Sequence, residues 1–184
     1  MDDVNRSADP RRSDGGTPVL TQMVEADLDE VLDLNQRSVP HVSGIDLDRL
    51  RHIVGQCTLA LIGRTTDSGD APGLLAGFVL VLPPGADYDS PNYGFFTQAY
   101  GDFRYVDRIA VEPEVHRSGL GRQLYRAVFD HARDVGAPVV TAEVNIEPPN
   151  PVSQEFHQRL GFVEVGRQDN YGGTVTVQML ARQI

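Results

Sequence analysis

The chain has 184 residues, enough for one domain with a substantial core. Its net charge of −10 excludes the basic surface on which nucleic-acid recognition begins and suits a cationic partner such as an amine. All 16 cationic residues are arginine, which excludes lysine as nucleophile, Schiff-base former or phosphate clamp.

In chain order, residues 1–18, "MDDVNRSADPRRSDGGTP", lack an apolar signal core and read as a disordered leader, leaving 19–184 as the domain. "VLTQMV" reads as a strand. "EADLDEVLDLNQRSV" carries Leu28, Val31, Leu32, Leu34 and Val39 at near-helical spacing and stops at Pro40. "DLDRLRHIV" is a second, shorter helix. "CTLALIGR" and "GLLAGFVLVL" form a hairpin across the turn-rich "TTDSGDAP". Cys57, the single cysteine, opens the first of these strands and reads as a buried structural thiol.

Residues 83–102, "PPGADYDSPNYGFFTQAYGD", read as a long loop carrying Tyr88, Tyr93, Phe95, Phe96 and Tyr100, which are candidate walls of a substrate pocket. "FRYVDRIAV" is a strand, and "GRQLYRAVFDHARDVG" is an amphipathic helix with Gly136 as its C-terminal stop. "PVVTAEV" follows as a strand and "NPVSQEFHQRLG" as a helix, with Asn150 as N-cap and Pro151 at its first position. "FVEVGRQ" and "GTVTVQMLAR" complete the order β-α-α-β-β-β-α-β-α-β-β. No apolar stretch approaches the ~20 residues that cross a bilayer, so the expected location is cytoplasmic, without a membrane partner.

"VHRSGLGRQLY" places two glycines between a strand and a helix. A helix N-terminus presents unpaired N–H groups and partial positive charge, and Gly119 and Gly121 would admit an anion without Cβ collision. Arg117 and Arg122 flank the turn. Neither common nucleotide fingerprint is present, and an ordinary tight turn would also explain the pattern. The stretches "RIAVEPEVHRSGLGRQLY", "NPVSQEFHQRLGF" and "GFVEVGR" all lie within residues 103–167. They resemble, in order and spacing, those of the GNAT superfamily of acetyl-CoA-dependent N-acetyltransferases.

The resemblance implies a single α/β (α+β) domain whose mixed, mostly antiparallel sheet of six to seven strands is flanked by helices, with the fourth and fifth strands splayed. It implies acetyl-CoA as co-substrate, with pantetheine along Ile109, Ala110 and Val111. The pyrophosphate would lie on the turn His116, Arg117, Ser118, Gly119, Leu120, Gly121 and Arg122, with Asn150 near the cofactor. His116 stands where the family usually has Gln or Arg. His157 replaces the usual tyrosine that protonates the departing thiolate, a role an imidazole can also fill.

Direct transfer needs a base for the amine, and two carboxylates qualify. Strand alternation puts Tyr105, Asp107, Ile109 and Val111 on one face, and Thr141, Glu143 and Asn145 on one face of the next strand. Glu143 matches a catalytic glutamate in the ribosomal-protein N-terminal acetyltransferases that this region resembles. Asp107 equally reads as an ion-pair partner of Arg104 or Arg108. His41, His52 and His131 lack metal-ligand spacing, and no metal is expected. The implied function is acetylation of a primary amine on a small molecule or peptide N-terminus; the alternative is a non-catalytic acyl-CoA sensor or interaction module. The terminal "GTVTVQML" reads as an exposed strand on which a homodimer would form.

Overall fold

The computed structural model describes residues 16–66, 73–115 and 118–184. Their elements are β1 (Gly16–Gln22), α1 (Leu28–Arg37), α2 (Leu47–Gln56), β2 (Leu59–Thr66), β3 (Leu75–Leu82), α3 (Pro91–Ala99) and β4 (Arg104–Val111). They continue with α4 (Leu120–Asp134), β5 (Val139–Glu147), α5 (Pro151–Arg159), β6 (Val163–Asn170) and β7 (Val175–Gln183). Of the expected leader, residues 16–18 belong to β1 and the remainder lies outside the described residues.

The strands form one seven-stranded sheet in the order β1-β2-β3-β4-β5-β7-β6. Every neighbouring pair is antiparallel except β4 beside β5. The β2–β3 hairpin forms as its sequence predicts. All of β3 is buried because helices cover both faces of the sheet there. Leu28, Val31 and Leu34 of α1 and Leu50 and Ile53 of α2 pack on Ile62, Phe78 and Leu80. On the opposite face, Leu120, Leu124 and Val128 of α4 pack on Val79, Val81 and Val140. Gly136 ends α4 in the left-handed conformation (φ +70°) that its C-cap role requires.

Two expectations change. The stretch read as a long loop contains α3, whose N-cap Ser90 accepts from the Tyr93 amide, with Pro91 at the first helical turn. Tyr93 and Phe96 are buried beside Leu82, Tyr105 and Met179, where large rings shed more apolar surface than they would at a pocket mouth. The terminal strand β7 lies between β5 and β6 and is not an edge, so it offers no free pairing face for a second copy. The sheet edges are β1 and β6.

The feature that shapes the site is a bulge in β4. Its pairing with β3 passes from Leu80↔Arg108 to Val81↔Val106, leaving Asp107 as the extra residue. The alternation expected along β4 therefore breaks. Tyr105 joins the core under α3, whereas Ile109 and Val111 pack on the α4 side. Strands β4 and β5 pair at Arg104↔Val140, Tyr105↔Thr141 and Val106↔Ala142, and then part at the bulge. The expected splay begins there.

Gly63 and Gly77 are opposite each other in β2 and β3, beneath Leu120. A Cβ on Gly77 would lie 2.7 Å from the Ala110 carbonyl oxygen and 3.1 Å from Leu120 Cδ2. The glycine pair thus lets the first turn of α4 rest on the sheet at the end of β4. Because the Ala110 obstruction is backbone, Gly77→Ala is expected to cost about 1–3 kcal/mol by overpacking. Scanning calorimetry should show a melting temperature lower by about 2–10 °C. An unchanged transition would contradict this packing account.

Candidate active site

The parting of β4 and β5 opens a cleft of about 1460 Å³. This exceeds the roughly 300–1,000 Å³ of a site for one drug-sized ligand, leaving room for an extended cofactor and an acceptor. Ile109, Ala110 and Val111 line it from β4, Glu143 and Asn145 from β5, and Gly119, Gly121 and Arg122 from the start of α4. Asn150 and His157 contribute from α5, residues 40–43 from the segment after α1, and Asn92, Gln168 and Asn170 from α3 and β6.

The two glycines of the turn have different tasks. Gly119 is the N-cap of α4 at φ +89°, a conformation that L side chains rarely adopt, and an added Cβ would meet nothing. Its backbone conformation, rather than space, requires glycine. At Gly121 a Cβ would come within 3.3 Å of Phe156 Cζ, so this residue makes room for α5. The first turn of α4 lines the cleft, and a helix start leaves N–H groups without intrahelical partners. Ser118 Oγ accepts from the Leu120 amide at 3.3 Å. Asn150 caps α5, its Oδ1 accepting from the Ser153 amide at 3.2 Å. His116 and Arg117 lie outside the described residues.

The two candidate carboxylates occupy unlike environments. Asp107 Oδ1 accepts from the Tyr88 hydroxyl at 2.5 Å, and its Oδ2 pairs with Arg108 Nε at 2.6 Å. Both side chains of that ion pair are buried, at 3% and 2% exposure. Asp107 is thus engaged at both oxygens, as its structural reading predicts, with Arg108 rather than Arg104. Among the described residues, Glu143 has no cation of its own. Its Oε1 accepts from Tyr105 Oη at 2.8 Å and Asn92 Nδ2 at 3.1 Å, while its Oε2 is buried with no hydrogen-bond partner. Burial, reinforced by the Asp107 charge, pushes the Glu143 carboxyl up to about 8.

His157 is buried between α4 and α5. Its Nδ1 lies 2.8 Å from the Ser153 carbonyl, which can only accept, so Nδ1 carries the proton. Nε2 is then the acceptor for the Tyr125 hydroxyl at 2.6 Å. Burial holds the imidazole below its ordinary value, and hence neutral. The site therefore contains a Tyr125–His157 pair rather than a lone histidine. Tyr125 was legible in the sequence only as a helix residue.

None of the five aromatic candidates lines the cleft. Tyr88 serves Asp107, Tyr93 donates to the Pro83 carbonyl, and Phe96 is buried with Tyr100 beside it. Phe95 packs on Gly166, where an added Cβ would meet its ring at 2.7 Å. The walls they were expected to form are instead polar, with Asn92, Gln168 and Asn170 among them. The one sequence signal toward Asn92 is the Ser90-Pro91 pair that starts α3. Cys57 stays apart from the cleft, its thiol pushed up to about 12 by burial.

Known proteins share this architecture. The crystal structure of the ribosomal-protein-S18-alanine N-acetyltransferase from Escherichia coli superposes with a TM-score of 0.66 at 20% identity, covering 91% of this chain and 94% of that one. Arabidopsis thaliana NAA60, in complex with a bisubstrate analogue, gives 0.72 at 16% identity over 91% and 98%. In sequence, 82 residues are 35% identical to the L-amino acid N-acyltransferase MnaT of Escherichia coli K12. That match covers 40% of this chain and spans 46% of the length of the relative. The Acetyltransferase (GNAT) family model matches residues 28–162, from α1 through the end of α5 to Phe162, and the chain belongs to that family.

Proposed function

We propose that the protein is an acetyl-CoA-dependent N-acetyltransferase that transfers an acetyl group directly to a primary amine of a small molecule or a peptide N-terminus. The observation that carries this reading is Glu143, a buried carboxyl with one unpartnered oxygen in the wall of the cleft. Its affinity for a proton, near 8, matches that of a base working at neutral pH. Asp107 is not the base, because both of its oxygens are engaged.

The residues present suit acetyl-CoA. The start of α4, with Gly119 as cap and Arg122 beside it, would hold the pyrophosphate, joined by Ser118, Leu120 and Gly121 through the backbone. Asn150 and the parted stretch Ile109–Val111 would hold the pantetheine arm. When bound, this co-substrate supplies an activated acetyl thioester. The β4 backbone would orient the reacting carbonyl, Glu143 Oε2 would take the proton of the attacking amine, and the Tyr125 hydroxyl, held by His157 Nε2, would give its proton to the departing thiolate. The relative named as an L-amino acid N-acyltransferase makes free amino acids the first acceptors to try, followed by peptide N-termini.

Two outcomes test this reading. Acetyl-CoA at 100 times its Kd should stabilise the fold by about 2.7 kcal/mol, read as a rise in melting temperature. No shift at saturation would remove the cofactor assignment. With a panel of L-amino acids and short peptides, kcat/KM should rise with pH to a plateau beyond about 8 as Glu143 loses its proton. Glu143→Gln should lower it by about 10²-fold or more. The same group sets a stability trend of opposite sense. The fold retains the Glu143 proton up to about 8, while the unfolded chain releases it near 4.5, so stability falls as pH rises between those values. Glu143→Gln should therefore melt higher than the wild type, with a gap that widens from pH 5 to pH 8. A constant gap would show that the carboxyl titrates normally.

A further inference from the structure

Helix α3 does more than fill the core. Phe95 packs on Gly166 of β6, which fixes the helix over that strand, and Asn92 comes to lie between β5 and β6. The Asn92 side chain bridges two polar groups. Its Oδ1 accepts from Gln168 Nε2 at 2.9 Å and from Asn170 Nδ2 at 3.0 Å. Gln168 Nε2 also donates to Asn170 Oδ1 at 3.2 Å. With Gln168 and Asn170 donating to Oδ1, the Asn92 Nδ2 faces and donates to Glu143 Oε1 at 3.1 Å. Oε1 also receives the Tyr105 hydroxyl, so both donors approach the same oxygen, and the other, Oε2, is buried without a hydrogen-bond partner.

We propose that Asn92 is a positioning residue for the Glu143 carboxyl group, holding Oε1 so that Oε2 is presented to the acceptor amine, with Gln168 and Asn170 fixing the orientation of the Asn92 amide. This rests on Glu143 being the base. The hydrogen bond from Asn92 favours the charged carboxylate, so it offsets part of the effect of burial. The other groups acting on Glu143 come from β4 and α4. Asp107 opposes its ionisation, while Arg108 and the Tyr105 hydroxyl favour it. Tyr125 lies within electrostatic reach from α4. Asn92 is the one donor in this set that belongs to neither strand of the parted pair, so it can be changed without touching the β4 bulge.

The test is a titration of the Glu143 carboxyl by ¹³C NMR in full-length protein labelled at glutamate, with Glu143→Gln identifying the signal. Neither acetyl-CoA nor amine is needed, so the result stands whether or not the protein acetylates the acceptors tried. In Asn92→Ala the midpoint should move up by about one pH unit, as expected for loss of one hydrogen bond to a carboxylate. In the nearly isosteric Asn92→Asp, which has no Nδ2 donor and adds a like charge, it should move up further; this variant also serves if the alanine variant does not fold. If activity is found, the rising limb of kcat/KM should move by the same amount. Midpoints that stay at the wild-type value in a folded variant, or that fall, would overturn the proposal.

Discussion

A buried ion pair between chain neighbours, Asp107 and Arg108, holds the bulge at which β4 leaves β5. Consecutive residues of a regular strand point to opposite faces, so such a pair needs the extra residue that a bulge supplies. Burying two charges costs more than their attraction returns unless the remaining donors are satisfied. Here they are. Arg108 Nη1 donates to Asn35 Oδ1 at 2.8 Å, and both terminal nitrogens reach Ser43. The guanidinium thereby ties β4 to α1 and to the segment that forms the cleft wall. The parting of the strands, the wall beside it and the position of Tyr88 all follow from this one arrangement.

The same ion pair separates the two carboxylates into different roles. Asp107 has both oxygens engaged, one by the Tyr88 hydroxyl and one by the adjacent guanidinium. Glu143 faces the Asp107 charge without a cation of its own and is pushed toward neutrality. Acid–base sites commonly arise this way, from titratable groups whose surroundings drive them apart. The structural pair thus helps set the protonation of the Glu143 carboxyl, and the site cannot be reduced to one residue on one strand.

Much of this architecture is legible in the sequence. Hydrophobic period, caps and turn residues located eleven of the twelve elements, because in each the apolar spacing and the end signals agree. Helix α3 escaped because "PNYGFFTQA" has a glycine inside it and little amphipathic contrast, its rings being taken up on several sides. The β4 bulge was not legible, since register is set by pairing with β3 and alternation assumes no extra residue. The neighbours of β7 were likewise hidden, because chain order does not state which strand inserts between two others. The glycine turn was located correctly, but one of its glycines serves Phe156 packing, a contact 35 residues downstream in sequence. Gln168 and Asn170 carry no pattern, and Asn92 only the Ser90-Pro91 helix start before it; the three meet only through the fold.

The account stands or falls on where the acceptor nitrogen sits. A crystal structure with a bisubstrate analogue, coenzyme A joined through its acetyl carbon to an amino acid, measures this directly. The pantetheine should run between β4 and β5, with the analogue nitrogen within hydrogen-bond distance of Glu143 Oε2 and the Asp107–Arg108 pair undisturbed. A nitrogen lying instead against Asp107, or an analogue bound outside the parting of the strands, would contradict it.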